Sequence, residues 1–237
     1  MPKPMADAAA VELLRLVPLF SEVPAVELQK VASRSQTFWK KKAVRLFEEG
    51  SLADCCLVLT SGRAKVVLNG TGGSEIILGL VEPFAVIGEI ALLDRSTRSA
   101  GLVTVEKSHF IRISADSFLE LRNNRAFEDR LVANVTATLR RATEQLRAIY
   151  TYDSLDRVAW CLARLAGQRG APVGGEIVLS PRPPHHELAE MTGCSRETVS
   201  RILLRLRRMK WVNWDKQTLR LQASAIRRYA SDISIAY

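Results

Sequence analysis

The apolar residues of this chain change their spacing after Ser114. From Leu46 to Ile113 they form short runs separated by Gly and Asn, a pattern typical of antiparallel β-strands. After Ser114 the spacing becomes helical, with a period of about 3.6 residues, and residues 126–150 contain no Gly or Pro. The sequence therefore predicts an α+β fold in which a β-rich domain is followed by one long helix.

Further elements flank these two regions. Two short helical patterns, near residues 9–16 and 24–35, precede the strands and are expected to pack on them. Tyr152 and Asp153 interrupt the long helix, and another helix follows over residues 154–168. A Gly- and Pro-rich stretch then predicts a loop, a short strand and a turn. The runs WVNW and TLRLQ predict a small hairpin near the end.

These elements divide the chain into regions. A length of 237 residues suits two domains, since domains most often contain about 100–150 residues. We expect a β-roll domain over residues 1–125, a dimerisation helix with a hinge over residues 126–152, and a second domain over residues 153–237.

The charge of the chain favours a polyanionic partner. Lys and Arg number 34 against 25 Asp and Glu, a formal net charge of +9, which suits nucleic acid or an anionic membrane surface. No stretch approaches the roughly 20 apolar residues that span a bilayer, and the N-terminus carries no recognisable export signal. The four cysteines have neither metal-ligand nor disulfide spacing and fit a reducing compartment. We therefore expect a cytoplasmic protein with no membrane partner.

One face of the predicted long helix carries an apolar stripe. Its members are Val132, Val135, Leu139, Ala142, Leu146 and Ile149. They follow one another at intervals of three or four residues, as in heptads that two helices bury against each other. This spacing predicts a homodimer joined through the helix. The alternative is a helix that packs on its own domain.

Residues 185–209 predict two helices joined by a tight turn. Gly193 suits the left-handed residue of such a turn, and Ser195 suits the cap of the second helix. The second helix places its apolar residues on one face, namely Val199, Ile202, Leu203 and Leu206. Its opposite face holds Arg196, Glu197, Ser200 and Arg201. The pattern predicts a helix-turn-helix with one packed face and one exposed face.

The chemistry of the exposed face suits the major groove of DNA. Arginine donates two hydrogen bonds to guanine and glutamate accepts one from cytosine, so Arg196, Glu197 and Arg201 are the predicted base readers. Neighbouring hydroxyl and imidazole groups can bind phosphate oxygens without reading sequence. These predicted phosphate contacts are Ser195, Thr198, Ser200 and one of the histidines His185 or His186. The alternative is a charged face that is only solvated.

The run G-C-S-R-E-T-V-S-R-I-L at residues 193–203 resembles the recognition element of the CRP/FNR (catabolite activator) superfamily, and the likeness extends through the roll and the long helix. It implies a double-stranded β-helix (jelly-roll) domain that binds a cyclic nucleotide, and a C-terminal winged helix-turn-helix. In the family, the residues that match Arg196, Glu197 and Arg201 read a TGTGA-like half-site of a palindrome. The resemblance implies a transcription regulator, not an enzyme, with double-stranded DNA, a second copy of the chain and RNA polymerase as partners.

Residues 86–100, V-I-G-E-I-A-L-L-D-R-S-T-R-S-A, are similar to the phosphate-binding cassette of cyclic-nucleotide domains. Arg98 can grip a cyclic phosphate with two hydrogen bonds, and Gly88 lets the backbone approach it closely. The amides of a short helix that begins near Ile90 and Ala91 would point at the same phosphate. The likeness therefore predicts a nucleotide site in the roll.

The resemblance implies fewer contacts for the sugar and the base. Glu89 would accept a hydrogen bond from the ribose 2′-hydroxyl, and Ser99 would donate one to the phosphate. The long helix of the family contributes a Thr-Ser pair to the purine, and counting back from Asp153 places Ala142 and Thr143 there. Because Ala142 has no hydroxyl, cyclic AMP (cAMP) is the first expectation and cyclic GMP (cGMP) stays open.

Two other functions also stay open. Members of a superfamily can keep a fold without its ligand, so the roll of a ligand-independent regulator is one alternative. A nucleotide hydrolase is the other, although no Ser/His/Asp or metal–carboxylate arrangement accompanies the cassette.

Metal cofactors are not expected. The first cysteine is Cys55, so the N-terminal cysteine cluster of the iron–sulfur sensors in the family is missing. His109, the only histidine of the sensory half, lies in a strand-like run that favours a structural role over haem ligation. His185, His186 and Cys194 do not have the spacing of a common zinc site. We therefore expect no metal, haem or iron–sulfur cluster.

Overall fold

The structure is a computed structural model, and it describes residues 3–4, 7–70 and 74–230. The turn that the sequence predicts over residues 69–73 and the two ends of the chain fall partly outside the described residues. The chain forms two compact units, Met1–Thr138 and Leu139–Tyr237. The boundary between them lies inside one long helix, α5 in the numbering used below.

The first unit is an antiparallel β-roll with helices packed on it. Its strands are β1 (Lys3–Pro4), β2 (Gln36–Lys40), β3 (Arg45–Phe47), β4 (Cys55–Ser61), β5 (Ala64–Asn69), β6 (Glu75–Val81), β7 (Val86–Ile87), β8 (Gly101–Thr104) and β9 (Ser108–Ser114). Its helices are α1 (Asp7–Arg15), α2 (Ala25–Ser33), α3 (Glu89–Leu93) and α4 (Ala115–Glu120). The strands form two sheets, in the orders β1-β2-β9-β4-β7 and β3-β8-β5-β6. The predicted β-rich domain is confirmed.

Apolar side chains from the helices pack with side chains of β4 and β9 in one buried cluster. Leu28 of α2 lies in a buried cluster with Val58 of β4 and Ile111 of β9. Phe127, near the start of α5 (Arg125–Thr151), completes the same cluster. Because burial of these side chains removes apolar surface from water, the N-terminal helices pack on the roll as the sequence predicts.

Strand β2 lies outside the β-rich stretch that the sequence pattern marks. Its residues read QTFWK, and only Phe38 among them stacks on a buried ring, that of Phe110, with 5.7 Å between centroids. Trp39 is exposed. Because Phe38 and Trp39 are adjacent, they point to opposite faces of the sheet, and the strand shows no clear alternation of apolar and polar residues. The sequence pattern therefore did not predict β2.

Helix α5 confirms the predicted long helix and extends one residue beyond each end of the prediction. Its first turns are buried in the first unit through Phe127 and Leu131. Val135 is half-buried and packs on the same core. The single chain leaves the rest of the predicted stripe exposed, namely Val132, Leu139, Ala142, Leu146 and Ile149.

The second unit contains a winged helix-turn-helix. After the end of α5 it comprises α6 (Ser154–Arg169), β10 (Ala171–Val173), β11 (Glu176–Leu179), α7 (His185–Thr192), α8 (Arg196–Arg208), β12 (Val212–Trp214), β13 (Leu219–Gln222) and α9 (Ala223–Ala230). Its strands pair in the order β10-β11-β13-β12. The two helices of the motif and the C-terminal hairpin are confirmed, whereas α9 has no counterpart in the prediction.

One predicted element of this unit differs. The stretch expected to hold a single short strand forms the hairpin β10–β11, because Gly174 and Gly175 adopt φ angles of +57° and +85° and let the chain reverse. In the described part of the chain, no helix is both long and apolar enough to cross a bilayer.

Candidate functional site

The predicted cassette folds as strand β7, a turn at Gly88 and helix α3. Gly88 has a φ of +88°, in the left-handed region that glycine favours. Helix α3 begins at Glu89, so Ile90 and Ala91 lie in its first turn, close to where the sequence places the start of a helix. The turn requires a glycine because a side chain would strain the backbone there.

Arg98 turns its guanidinium group into the protein and is only 3% exposed. Its Nη1 donates to the Gly88 carbonyl at 2.8 Å, and its Nη2 donates to the Cys55 carbonyl at 2.6 Å. The guanidinium carbon lies 3.8 Å from the centroid of the Phe47 ring. Nε has no hydrogen-bond partner within the described residues. A buried cation with an unmet donor fits an anionic ligand that supplies more acceptors.

Glu89 is held by a residue of α5 that the sequence reading did not identify. Its side chain is 6% exposed, and its Oε1 accepts a hydrogen bond from Asn134 Nδ2 at 3.1 Å. Asn134 continues the buried face of α5 begun by Phe127 and Leu131, at helical intervals of four and three residues. The sequence feature that could have identified Asn134 is a polar residue on an otherwise apolar helix face, because a buried polar group needs a hydrogen-bond partner.

The remaining predicted nucleotide contacts are exposed. Ser99 follows Arg98 and lies at the surface. Ala142 and Thr143 belong to the second unit, and the Thr143 hydroxyl donates to the Leu139 carbonyl at 3.0 Å. Their contact with a base stays a prediction.

The helix-turn-helix has the geometry that the sequence predicts. Gly193 ends α7 in the left-handed conformation, with a φ of +64°. Ser195 caps α8, and its Oγ accepts a hydrogen bond from the Thr198 amide at 3.1 Å. The apolar face of α8 is buried, namely Val199, Ile202, Leu203 and Leu206. Of the residues predicted on the opposite face, Arg196, Glu197 and Arg201 are exposed and Ser200 is half-buried.

Hydrogen bonds orient part of this exposed face. Ser195 Oγ donates to Thr198 Oγ1 at 3.0 Å, and Thr198 Oγ1 also accepts from Arg201 Nη2 at 3.2 Å. A main-chain hydrogen bond, the Ser195 hydroxyl and the charges of Arg196 and Arg201 lower the pKa of the Glu197 carboxyl. Glu197 is therefore an ionised acceptor at neutral pH, as a hydrogen bond from cytosine requires.

His185 and Ser200 are bound to each other. The Nδ1 atom of His185 lies 2.8 Å from Ser200 Oγ, and its Nε2 lies 2.7 Å from Arg182 Nη2. Ser200 Oγ also donates to the Arg196 carbonyl at 2.9 Å. Both ring nitrogens of His185 are thus engaged within the protein, whereas His186 is exposed.

The histidines and cysteines do not gather around a common centre. Within the described residues, no three or more metal-ligating side chains lie together. His109 Nδ1 lies 2.6 Å from Thr60 Oγ1, and its ring contacts Trp39 with 4.8 Å between centroids. Burial lowers the pKa of the His109 imidazole. These contacts give His109 a structural place in the roll.

Comparison with known proteins covers both units. Residues 39–125 match the family model of the cyclic nucleotide-binding domain, and residues 156–227 match that of the Crp-like helix-turn-helix domain. The first match contains the cassette around Gly88 and Arg98, and the second contains α7, α8 and the C-terminal hairpin.

Relatives match along most of the chain. A cyclic AMP receptor protein of Thermus thermophilus is 31% identical over 187 residues, which are 78% of this chain and 83% of the relative. The cAMP-activated global transcriptional regulator CRP of Escherichia coli O6:H1 is 29% identical over 163 residues, 67% of this chain and 76% of the relative. The solved structure of the c-di-GMP responsive global regulator CLP of Xanthomonas campestris shares the fold, with a TM-score of 0.69 at 20% identity over 84% of this chain and 100% of that chain. The chain therefore belongs to the CRP/FNR superfamily of transcription regulators, with a cyclic nucleotide-binding domain followed by a helix-turn-helix DNA-binding domain.

Proposed function

We propose that the chain is a homodimeric regulator whose affinity for a palindromic DNA site is controlled by a cyclic nucleotide. The observation that carries this proposal is the position of Arg98, which is buried beside Gly88 and α3 with one donor unmet. A cyclic phosphate brings the negative charge and the acceptors that this guanidinium group lacks. The proposed role is binding alone, without enzymatic turnover.

The residues of the cassette would divide the nucleotide between them. Arg98 and Ser99 would bind the phosphate, together with the amides at Ile90 and Ala91. Glu89 would accept a hydrogen bond from the ribose. The two carbonyls that Arg98 now meets are neutral, whereas a phosphate would add an opposite charge and a two-pronged contact, so the phosphate competes well with them.

Cyclic AMP is the first candidate ligand, because the Thermus and Escherichia relatives are named for it. Cyclic GMP is the alternative, because Ala142 cannot form a hydrogen bond that would select one purine through its side chain. The Xanthomonas regulator is described as responsive to c-di-GMP, so this dinucleotide belongs among the competitors in a binding test. We propose that the protein uses no metal ion, haem or iron–sulfur cluster as a cofactor.

A second copy of the chain is the proposed partner of α5. The exposed residues Leu139, Leu146 and Ile149 lie on one heptad stripe. A row of large apolar side chains at this spacing is stabilised when a partner helix buries it.

Double-stranded DNA is the proposed partner of α8, with Arg196, Glu197 and Arg201 reading base edges of a TGTGA-like half-site. A dimer with two-fold symmetry would place its two reading helices in successive major grooves, about 34–36 Å apart. RNA polymerase is a further proposed partner. The proposed location of the protein is the cytoplasm, where a bacterial regulator meets promoter DNA.

The proposed coupling runs through α5. Nucleotide bound next to the paired helices would stiffen or extend them and so set the spacing of the two helix-turn-helix motifs. The order of cassette, heptad stripe and DNA-binding domain along the chain motivates this step.

Fluorescence anisotropy tests the proposal directly. A labelled palindrome with TGTGA-like arms is titrated with protein at fixed, moderate salt, without nucleotide and with saturating cAMP, cGMP or c-di-GMP. We expect tight binding only with a cyclic mononucleotide. Equal affinity under all conditions would defeat nucleotide control, and a scrambled duplex reports non-specific binding.

A ligand-independent regulator is the second candidate, because Arg98 already meets two carbonyls of its own chain. Arg98→Lys keeps the charge but removes the two-pronged geometry. We expect this variant to lose nucleotide affinity by roughly tenfold or more, measured by calorimetric titration, while Arg95→Lys, at an exposed position nearby, binds like the wild type. If Arg98→Lys binds DNA with the affinity of the wild type both with and without nucleotide, the second candidate is favoured. Chromatography after incubation with cAMP checks for hydrolysis, and we expect none.

A further inference from the structure

Arg182 connects the C-terminal hairpin β12–β13, here called the wing, to the start of α7. Its main-chain amide donates to the Gln217 carbonyl at 2.7 Å, in the turn of the wing. Its guanidinium group lies 4.9 Å from the centroid of the Trp214 ring, and that of Arg207 lies 4.7 Å from the same ring. Its Nη2 reaches His185 Nε2 at 2.7 Å.

The partners of His185 fix its tautomer. A guanidinium group only donates hydrogen bonds, so Nε2 of His185 must accept from Arg182. In a neutral imidazole the other nitrogen then carries the proton, and Nδ1–H donates to Ser200 Oγ at 2.8 Å. The Ser200 hydroxyl in turn donates a hydrogen bond to the Arg196 carbonyl on α8. Three side chains and one carbonyl thus form a single directed series from the wing to the reading helix.

We propose that His185 is a positioning residue for DNA reading, and that it acts through this series only while its ring is neutral. The series Arg182–His185–Ser200, called the relay below, joins the wing to the first turns of α8. Protonation of His185 disrupts the relay and so loosens the wing and the first turns of α8 where they face DNA. This role goes beyond nucleotide control and rests on the proposed function only for its effect on DNA affinity.

Protonation is incompatible with the relay. A protonated ring has two donors and no acceptor, so Nε2–H would face the donors of Arg182 and two positive charges would meet at hydrogen-bond distance. The charged groups that act on the ring are Arg182 and Arg196, both cations, and Arg182 itself faces Arg207 and Asp215. Burial and these two arginines lower the pKa of His185. The neutral form is therefore the one present at pH 7 and above, and acidification removes it.

The relay predicts a pH response opposite to that of a phosphate-binding histidine. A histidine that contacts phosphate gains affinity for DNA when it becomes positive. A histidine in the relay loses affinity for DNA when it becomes positive, because its contact with Arg182 breaks. The sign of the response therefore distinguishes the two roles of His185.

The test is a pH series of DNA affinity on the full chain. Anisotropy with the TGTGA-like palindrome is measured from pH 8 down to the pH at which the His185 ring is protonated, at constant ionic strength and saturating cAMP, on wild type and His185→Gln. The glutamine amide keeps one acceptor and one donor but does not titrate in this range. We expect acidification to weaken the wild type relative to His185→Gln by roughly three- to tenfold, the value of one or two hydrogen bonds. An unchanged or strengthened wild type relative to the variant would overturn the proposal.

Two further variants locate the effect. His186→Gln alters the exposed neighbouring histidine and is expected to retain the pH response of the wild type, whatever its affinity. Ser200→Ala removes the inner end of the relay while His185 still titrates, and is expected to reduce the response to the part that the Arg182 contact contributes. A pH response that disappears in His186→Gln but persists in His185→Gln would assign the response to His186 and overturn the proposal.

A second measurement needs neither nucleotide nor DNA. Long-range ¹H–¹⁵N correlation spectra of the histidine rings report the tautomer of His185 at pH 7.5. We expect the Nδ1–H form, and an Nε2–H form would overturn the relay. If the wild type binds no palindrome at any pH, the proposed function fails, and the tautomer alone decides whether the relay exists.

Discussion

Gly88 and Arg98 are packed so closely that no methyl group fits between them. A Cβ built on Gly88 would lie within 3.0 Å of Arg98 Nη1 and of the Phe47 ring. The carbonyl of Gly88 also accepts a hydrogen bond from Nη1 at 2.8 Å. A single residue therefore both binds the arginine and makes room for it, which ties the backbone of the cassette to the group expected to hold the phosphate.

Replacement of Gly88 by alanine should damage both the fold and the site. The left-handed backbone costs a non-glycine residue about 1–3 kcal/mol of unfolding free energy, and the new methyl group displaces the guanidinium group. We expect Gly88→Ala to lower thermal stability and to weaken cAMP binding by roughly tenfold or more, measured by thermal denaturation and calorimetric titration.

Gly175→Ala is the matched control for that change. Gly175 has a φ of +85° but nothing within 4 Å of a built Cβ, so the variant carries the backbone cost without the crowding. It should lose stability and retain nucleotide affinity. If Gly88→Ala binds cAMP as well as this control does, crowding at Arg98 has no part in recognition.

The hydrogen bond between Asn134 and Glu89 gives a pH-dependent prediction. Asn134→Asp would place a second carboxylate about 3 Å from Glu89, and two such groups cannot both ionise without strong repulsion. The pKa of one of them should rise above its unfolded value, so stability is retained at acid pH and lost as the pH rises through the raised pKa.

Thermal denaturation at pH 5 and pH 7.5 measures this effect. We expect Asn134→Asp to be destabilised at pH 7.5 by about 1–3 kcal/mol relative to wild type, with most of the loss recovered at pH 5. Asn134→Ala removes the same hydrogen bond without adding a charge, so its loss should vary less with pH between these values than that of Asn134→Asp. Parallel behaviour of the two variants would contradict a close contact between residue 134 and Glu89.

Local patterns were sufficient for most of the helices and strands and for the charged side chains that lie on the surface. The turn at Gly193 and the cap at Ser195 follow from local backbone chemistry, and the exposed position of Arg196 follows from helical periodicity. These features depend on residues within one or two turns of the chain, and the sequence contains that information directly.

The unpredicted parts depend on residues far apart in the chain. Asn134 meets Glu89 across 45 positions, and Arg98 reaches the Cys55 carbonyl across 43. The engagement of both ring nitrogens of His185 depends on how α7, α8 and the preceding loop pack together. Such contacts are set by tertiary packing, which no periodicity in a single sequence encodes.

The exposed stripe of α5 predicts a specific loss of association. Leu139→Glu places a charge in the middle of the stripe, where a partner helix would bury it unpaired at a cost of several kcal/mol. We expect a monomer by size-exclusion chromatography with light scattering. Ala137→Glu adds the same charge at an exposed position off the stripe and should leave the molar mass unchanged. A Leu139→Glu variant with the mass of the wild type would exclude this stripe as the dimer contact.

Arg196 separates base reading from general attraction to DNA. A two-pronged contact between arginine and guanine contributes about 1–3 kcal/mol of discrimination, so Arg196→Gln should reduce affinity for the palindrome by roughly tenfold or more and accept other bases at the matching position. Arg208→Gln removes an equal charge from the exposed last turn of α8. It should weaken specific and scrambled duplexes by the same factor and lower the salt dependence of binding. Because both variants lose one positive charge, the ratio of their affinities for the two duplexes depends on base contacts alone. An equal ratio in both would mean that Arg196 only attracts the phosphate backbone.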